Sequence, residues 1–237
     1  MPFRSNVSEP AEWPYGTLLH RLDPDARREL LDLGVQRQVP AGQILIHEGA
    51  QDAHLVLLRR GLTKVTASLP DGRTALLAIR VGGDLIGEMS ALNRHPRSAT
   101  VTTCGPTQIN IIAMDRFKVF LRKHPDAALE LAAMVSDRLR WSNRRRIDFS
   151  SYSVKIRVAR VIAELARTHG RRSPDGTIID VHLTQPELAT ICGAAETTVQ
   201  KALRELRGER MVDTDYRRIT VRDLETLREV SDLDPEE

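Results

Sequence analysis

Leu183–Leu206, LTQPELATICGAAETTVQKALREL, is the stretch on which the reading of the chain turns. Thr184 with Glu187 three residues later forms a capping box, so a helix starts there. Pro186 falls in the first turn, where its missing N–H is harmless. Leu188, Ala189, Ile191 and Cys192 make the inward face, and Gly193 takes the position after the helix where a left-handed residue ends it. A second helix then runs to about Arg207, with Val199, Ala202, Leu203 and Leu206 inward. Two short helices joined by a Gly-led turn make a helix-turn-helix, whose second helix enters the major groove of DNA. Its outward residues are Glu196, Thr197, Gln200, Lys201 and Arg204, side chains of the types that find base-edge or phosphate partners there, with Thr184 at the entrance. A plain helical hairpin is the alternative. The coincidence of capping box, turn glycine and polar outer face favours the DNA reader.

Downstream, Met211–Val221 (MVDTDYRRITV) holds two β-prone runs around Asp215-Tyr216-Arg217-Arg218 and reads as a wing, with Arg217 and Arg218 at its tip. Upstream, Val154 to about Thr168 is a helix, followed by a loop, Gly170–Gly176, and preceded by a short polar hinge, Phe149–Ser153. From Pro125 to about Phe149 runs a long helix without internal Gly or Pro, carrying the stripe Leu131, Met134, Val135, Leu139. That stripe can pack on the preceding domain or face a second copy of itself; the helix length favours the second.

From about Gln36 to Ile112 the chain reads as short strands broken by Gly-containing turns. The runs Gln43–Ile46, Leu55–Leu58, Leu62–Ala67 and Ala75–Ile79 are rich in Ile, Leu and Val, and Asp71-Gly72 between the last two is a hairpin signal. Even spacing of this kind predicts a small antiparallel roll. Before it, Asp23–Leu33 reads as a helix with Asp23 as N-cap and Pro24 at the first helical position.

At 237 residues the chain suits two compact domains. Its net charge of +3 excludes an unfolded, charge-rich tail protein. No apolar run is long enough to span a bilayer, the N-terminus lacks an apolar signal core, and Cys104 and Cys192 fit neither a disulfide framework nor a metal motif. These features predict a cytoplasmic protein with no membrane partner. The charge is uneven: residues 131–172 carry 11 basic and 3 acidic groups, while 223–237 carry 1 and 7. The basic band points to a phosphate backbone, contacted by Lys155, Arg157 and Arg160, with Lys201 and Arg204 from the reader; Arg144, Arg145 and Arg146 read as a solvated collar.

Gly83–Thr102, GDLIGEMSALNRHPRSATVT, is the second informative stretch. A glycine, a carboxylate and an Arg-Ser pair nine and ten residues later can build an anion site, in which Arg97 grips a phosphate, Ser98 donates and Glu88 accepts from sugar hydroxyls. A structural Glu88–Arg97 ion pair is the alternative reading.

Gly87-Glu88-Met89-Ser90-Ala91-Leu92, with Pro96-Arg97-Ser98-Ala99-Thr100, closely resembles the phosphate-binding cassette of cyclic-nucleotide-binding domains. With the long helix and the helix-turn-helix behind it, the chain from about Tyr15 to Leu227 resembles the CRP/FNR family of bacterial transcription regulators. The resemblance implies an α+β architecture: an N-terminal antiparallel β-roll over 15–124, a long dimerisation helix over 125–149, and a winged helix-turn-helix over 154–227. It implies cAMP as effector, with Gly87, Glu88, Met89, Arg97 and Ser98 around ribose and phosphate, Glu88 on the ribose 2′-hydroxyl and Arg97 on the cyclic phosphate. Aligned through Arg157-Val158-Ala159, Ser142 and Asn143 take the adenine-contacting positions, one from each subunit. DNA operator, homodimer and RNA polymerase are the implied partners.

Some residues depart from the family pattern. Many relatives carry Arg-Glu-Thr-Val at the start of the recognition helix; here the stretch is Glu196-Thr197-Thr198-Val199. Ala195 replaces the usual Ser N-cap, at a cost of about 1 kcal/mol. No Cys cluster or axial ligand for an iron–sulfur centre or haem is present, and His20, His47, His54 and His95 are scattered, so no metal is expected. No P-loop, GxSxG or HExxH occurs, which argues against an enzyme. A second reading keeps the DNA reader but makes it independent of cAMP, or responsive to another effector.

Overall fold

The computed structural model describes residues 13–179, 181–215 and 218–231. Two short helices come first, α1 Leu18–Arg21 and α2 Pro24–Asp32. The second starts as its sequence predicts: Asp23 Oδ1 accepts from the N–H groups of Asp25 and Ala26, and Pro24 is the first helical residue. The strands β1 Val35–Val39, β2 Ile44–Ile46, β3 Leu55–Arg60, β4 Leu62–Ser68, β5 Thr74–Val81 and β6 Leu85–Ile86 follow. After the short helix α3 Glu88–Asn93 come β7 Thr100–Thr103 and β8 Thr107–Ile112. They form two antiparallel four-stranded sheets, ordered β1-β8-β3-β6 and β2-β7-β4-β5, with the β4–β5 hairpin turning at Asp71-Gly72.

β3 shows why these layers stack. Successive strand residues face opposite sides. Val56 and Leu58 meet Ile46, Ile86, Val101 and Ile109 between the sheets. Leu55 and Leu57 face outward against a second cluster with Leu19, Leu30, Phe117 and Leu131. An apolar run buried on both faces is therefore unbroken in sequence, and each such side chain contributes roughly 1.5–3 kcal/mol. The outer layer includes a helix that the sequence pattern does not separate, α4 Met114–Lys123, whose Phe117 and Phe120 stack with ring centroids 5.8 Å apart.

The long helix is α5, Pro125–Ser151. Its apolar stripe divides: Leu131 and Met134 are buried against the roll, while Leu139 is 60% exposed and points away from it. One part of the stripe packs on the preceding domain, and the other is exposed. The predicted hinge narrows to Tyr152-Ser153, because α5 runs to Ser151 and α6, Val154–His169, starts with Ser153 as its N-cap.

Beyond α6 lie β9 Gly170–Ser173, β10 Gly176–Ile179, α7 Gln185–Ile191, α8 Glu196–Gly208, β11 Val212–Asp215, β12 Arg218–Val221 and α9 Leu224–Val230. The segment read as a loop from Gly170 to Gly176 is instead a strand and a tight turn. β10 pairs on one side with β9 and on the other with β12, so the two-stranded wing belongs to a four-stranded sheet ordered β11-β12-β10-β9. Arg217 of the predicted wing tip lies outside the described residues; Arg218 is exposed. The C-terminal unit also docks on the roll: Leu76 and Ile79 of β5 are buried in the same cluster as Leu188, Ile191 and Val199.

Candidate functional site

The anion cassette sits where β6 ends. Gly87 takes φ +86°, and a Cβ there would lie 2.5 Å from Arg97 Nη1 and 3.0 Å from Ile46 Cδ1. Backbone sign and close approach both demand glycine. The turn delivers Glu88 to the start of α3, buried at 6% exposure, and Arg97 is buried at 3%.

These two side chains are not paired with each other. Arg97 uses all five of its N–H donors inside the roll. Nε donates to Asp52 Oδ1 at 2.9 Å, Nη1 to Gly87 O at 2.9 Å and Ser90 Oγ at 2.8 Å, and Nη2 to His54 O at 2.5 Å and again to Asp52. Glu88 Oε1 accepts from Arg138 Nη1 at 2.8 Å, and the other arm of Arg138 reaches Asp84 Oδ1 at 2.9 Å and Leu85 O at 3.1 Å. Burial works against the Arg138 charge, but Asp84 and Glu88 outweigh it and hold its pKa above the usual arginine value. The structural ion pair offered as the alternative in sequence is thus two pairs, with Asp52 and Arg138 as partners.

The remaining cassette residues are open. Met89 is 56% exposed, and Ser98 is exposed with its Oγ 4.0 Å from Met89 Sδ. Ser142 and Asn143 are exposed on α5, with Ser142 one turn beyond Arg138 on the same helix face. Chemically the site offers a buried guanidinium beside a buried carboxylate. Among the described residues the only carboxylate on that guanidinium is Asp52, which is 45% exposed. Every N–H of Arg97 therefore already has an acceptor within the chain.

The reader follows its sequence closely. Thr184 Oγ1 accepts from Glu187 N–H at 3.3 Å, and Glu187 Oε2 accepts from Thr184 N–H at 2.8 Å, completing both halves of the capping box. Gly193 has φ +60°, and a Cβ on it would meet the Phe149 ring at 2.6 Å. Val199, Ala202, Leu203 and Leu206 are buried, whereas Glu196, Thr197, Lys201 and Arg204 are exposed. Gln200 is half-buried, with Nε2 donating to Gln185 Oε1 at 2.5 Å. Ala195 makes no side-chain cap.

The basic band is used differently from its sequence reading. Arg157 is buried, donates to Gly193 O at 2.9 Å and lies over the Phe149 ring. Arg160 donates to Asp148 Oδ1 at 2.7 Å and to Ser231 O at 2.7 Å, with its guanidinium 3.9 Å from the Tyr152 ring centre. Lys155 pairs with Glu209 at 2.5 Å. Arg145 is buried, 3.4 Å from Asp148, so the collar is not uniformly solvated. Arg157 and Arg160 bolt the end of α5 to the reader, Lys155 ties α6 to the end of α8, and Arg145 pairs within α5.

A second bolt joins reader and roll. Lys64 on β4 donates to both oxygens of Glu187 at 2.7 Å and to His182 O at 2.6 Å, and Leu76 N–H on β5 donates to Thr190 Oγ1 at 3.0 Å. Burial raises the Cys192 thiol to about 12, which leaves it inert. Among the described residues no His/Cys/Asp/Glu cluster suits a metal, and no helix is long and apolar enough to cross a membrane.

Comparison with known proteins agrees with both domains. Residues 36–124 match the cyclic nucleotide-binding domain family and residues 156–230 the Crp-like helix-turn-helix domain family. The chain is 29% identical over 190 residues to the CRP-like cAMP-activated global transcriptional regulator of Mycobacterium tuberculosis, a span covering 79% of this chain and 84% of that protein. A solved CRP/FNR family transcriptional regulator from Thermus thermophilus matches with TM-score 0.70 at 22% identity, covering 84% of this chain and 98% of its own. The c-di-GMP responsive global regulator of Xanthomonas campestris matches with TM-score 0.72 at 18% identity, covering 85% and 100%. At these identities the solved structures speak for the fold alone. The cyclic nucleotide-binding domain holds the cassette and the Crp-like domain holds the helix-turn-helix, in the order in which the family joins them, and the chain belongs to the CRP/FNR family of transcriptional regulators.

Proposed function

We propose that the chain is a cAMP-responsive, DNA-binding transcription regulator that acts as a homodimer in the cytoplasm and works with RNA polymerase. The observation that carries this reading is the Glu88–Arg138 contact, 2.8 Å between the cassette and the long helix. A ribose hydroxyl donating to Glu88 alters the environment of Arg138, and Arg138 is one turn from Ser142. Arg97 takes the cyclic phosphate as Asp52 yields it, and Ser142 with Asn143 of a second subunit receives adenine. Leu139, Asn143 and Ile147 form an exposed row along α5 at helical spacing, and Leu139 and Ile147 are 60% and 59% exposed. That row is the proposed dimer face. A two-fold dimer places two copies of α8 at half-sites about one turn of DNA apart.

The end of α5 transmits the shift. Asp148, 1% exposed, accepts from Arg160, and Phe149 packs on Gly193 at the helix-helix turn. A change in the pitch of α5 therefore re-aims the reader as one body. The test is a calorimetric titration of cAMP into the native chain and into the double variant Arg97→Leu/Ser98→Ala. Binding by the first and none by a folded second is expected; equal binding by both contradicts the site.

One observation favours a second reading. Arg97 is fully satisfied by Asp52 and its neighbours, so an anion other than cAMP, or none, is compatible with a stable roll. A related fold, that of the Xanthomonas regulator, is described as c-di-GMP responsive. A titration against cGMP and c-di-GMP separates the two.

A further inference from the structure

The cleft between roll, long helix and reader has a volume of about 420 Å³ and is walled by Tyr15 and Gly16, by Ile79–Val81 of β5, by Arg138 and Trp141 of α5, and by Leu165 and His169 of α6. It lies outside the cassette: none of Gly87, Glu88, Arg97, Ser98, Ser142 or Asn143 lines it. Its walls carry six arginines and three carboxylates, Asp84, Asp137 and Glu164. Each carboxylate already has an arginine. Asp84 pairs with Arg138 at 2.9 Å, Glu164 with Arg167 at 2.9 Å, and Asp137 with Arg21.

Arg80 has no such partner among the described residues. Its hydrogen bond runs from Nη1 to the backbone oxygen of its neighbour Ile79 at 3.1 Å, and no described carboxylate stands within ion-pair distance. Burial, then repulsion by Arg138, lower its pKa to about 10 against the more distant pull of Asp84 and Glu88, so the charge persists at neutral pH in a place that disfavours it. Beside it is His169, whose burial lowers the ring to about 4 and keeps it neutral; its Nδ1 is buried without a hydrogen-bond partner. At the rim, Arg140 approaches Asp137 at 3.9 Å, too far for a hydrogen bond. A desolvated cation without an ion pair, a buried imidazole Nδ1 without a hydrogen bond and a cationic rim around one cavity are what an oxyanion satisfies at once: two charge-assisted bonds from Arg80 and one N–H bond from the neutral His169 ring.

We propose that this cleft is a second anion site, separate from the cassette, that takes a small phosphate-bearing ligand through Arg80 and His169. Its walls come from roll, long helix and reader, so an occupant favours the docked arrangement over any in which the reader swings away. Arg138 lines the cleft and also grips Glu88, so one side chain borders both sites.

The test uses the full chain and thermal melting at matched ionic strength, with inorganic pyrophosphate and AMP as probes. Each is added to the native chain, to Arg97→Leu, to Arg80→Gln and to His169→Ala. The expected result is a rise in Tm of about 4 °C with at least one probe. It survives in Arg97→Leu, vanishes in Arg80→Gln and is at least halved in His169→Ala. A rise with both probes assigns the site to phosphate groups in general, and a rise with AMP alone to a nucleoside phosphate. No rise with either probe overturns the proposal. So does a rise that disappears in Arg97→Leu, which would place the ligand in the cassette, or one that persists in both Arg80→Gln and His169→Ala. Arg80→Gln replaces a buried charge by an amide and is expected to melt no earlier than the native chain without ligand. If it does not fold, the His169→Ala result decides.

Discussion

The two places where this chain is proposed to meet phosphate hold their cations in opposite ways. In the cassette, Arg97 is 3% exposed and every N–H has an internal acceptor, including the carboxylate of Asp52. On the reader, Lys201 and Arg204 stand exposed on the outer face of α8 without an ion pair among the described residues. The difference follows from the medium. A buried guanidinium without a counter-charge costs several kcal/mol, so the roll keeps a resident anion, Asp52, against Arg97. A solvated ammonium on a helix surface needs none, and its attraction to a polyanion is delivered by counterion release. One site is a lock occupied by its own chain, and the other is an open face.

That contrast is breakable, and the largest effect is expected at the lock. Arg97→Leu removes the buried cation, so calorimetry should show cyclic-nucleotide affinity reduced about 100-fold or more, from the loss of roughly 3 kcal/mol of charged hydrogen bonding. Basal operator binding should stay as it was. Asp52→Asn removes only the resident charge. If phosphate and Asp52 compete for Arg97, affinity should rise by about tenfold, near 1.4 kcal/mol; weaker binding would mean that Asp52 orients Arg97 rather than occupying it. On the open face, Lys201→Ala should weaken operator binding a few-fold across sequences and reduce the salt slope by about 1, leaving nucleotide binding untouched. The smallest effect concerns α8 itself. Ala195→Ser supplies the absent cap and should add about 1 kcal/mol, seen as a Tm higher by roughly 2–4 °C in the melting curve.

The same contrast explains which parts of the molecule are readable in the chain. The reader is built from neighbours: the Thr184–Glu187 box, Gly193 and the apolar spacing of α8 all act within about one helical turn, and each stands where the pattern predicts. Glu88 and Arg97 are likewise legible, since one short helix and turn set their spacing. Their partners are not. Asp52 lies 45 positions before Arg97, and Arg138 lies 50 after Glu88, so only the stacking of β3, β6 and α5 brings them together. The basic band misleads for the same reason. Composition counts Arg145, Arg157 and Arg160 as free charge, but the fold turns them onto Asp148, Phe149 and the backbone of Gly193. β9 escapes the pattern because Arg171 and Arg172 have no strand signal of their own; their pairing with Ile178 and Thr177 holds them extended.

The bolts between units give the lock its reach. Lys64 holds Glu187, the residue that also caps α7, and Phe149 closes against Gly193, so roll, α5 and helix-helix turn share side chains. The end of α5 thus meets the reader through a packed contact rather than a loose linker.

If cassette and reader are energetically coupled through α5, operator affinity registers it. The measurement is the Kd for a two-half-site DNA duplex at fixed salt, with and without saturating cAMP, in the native chain and in Arg138→Gln. cAMP is expected to change the native Kd by about tenfold or more, a coupling of roughly 1.4 kcal/mol, and Arg138→Gln is expected to bind both ligands with most of that coupling lost. Native protein that binds cAMP by calorimetry yet holds the duplex with the same Kd in its presence and absence would contradict it.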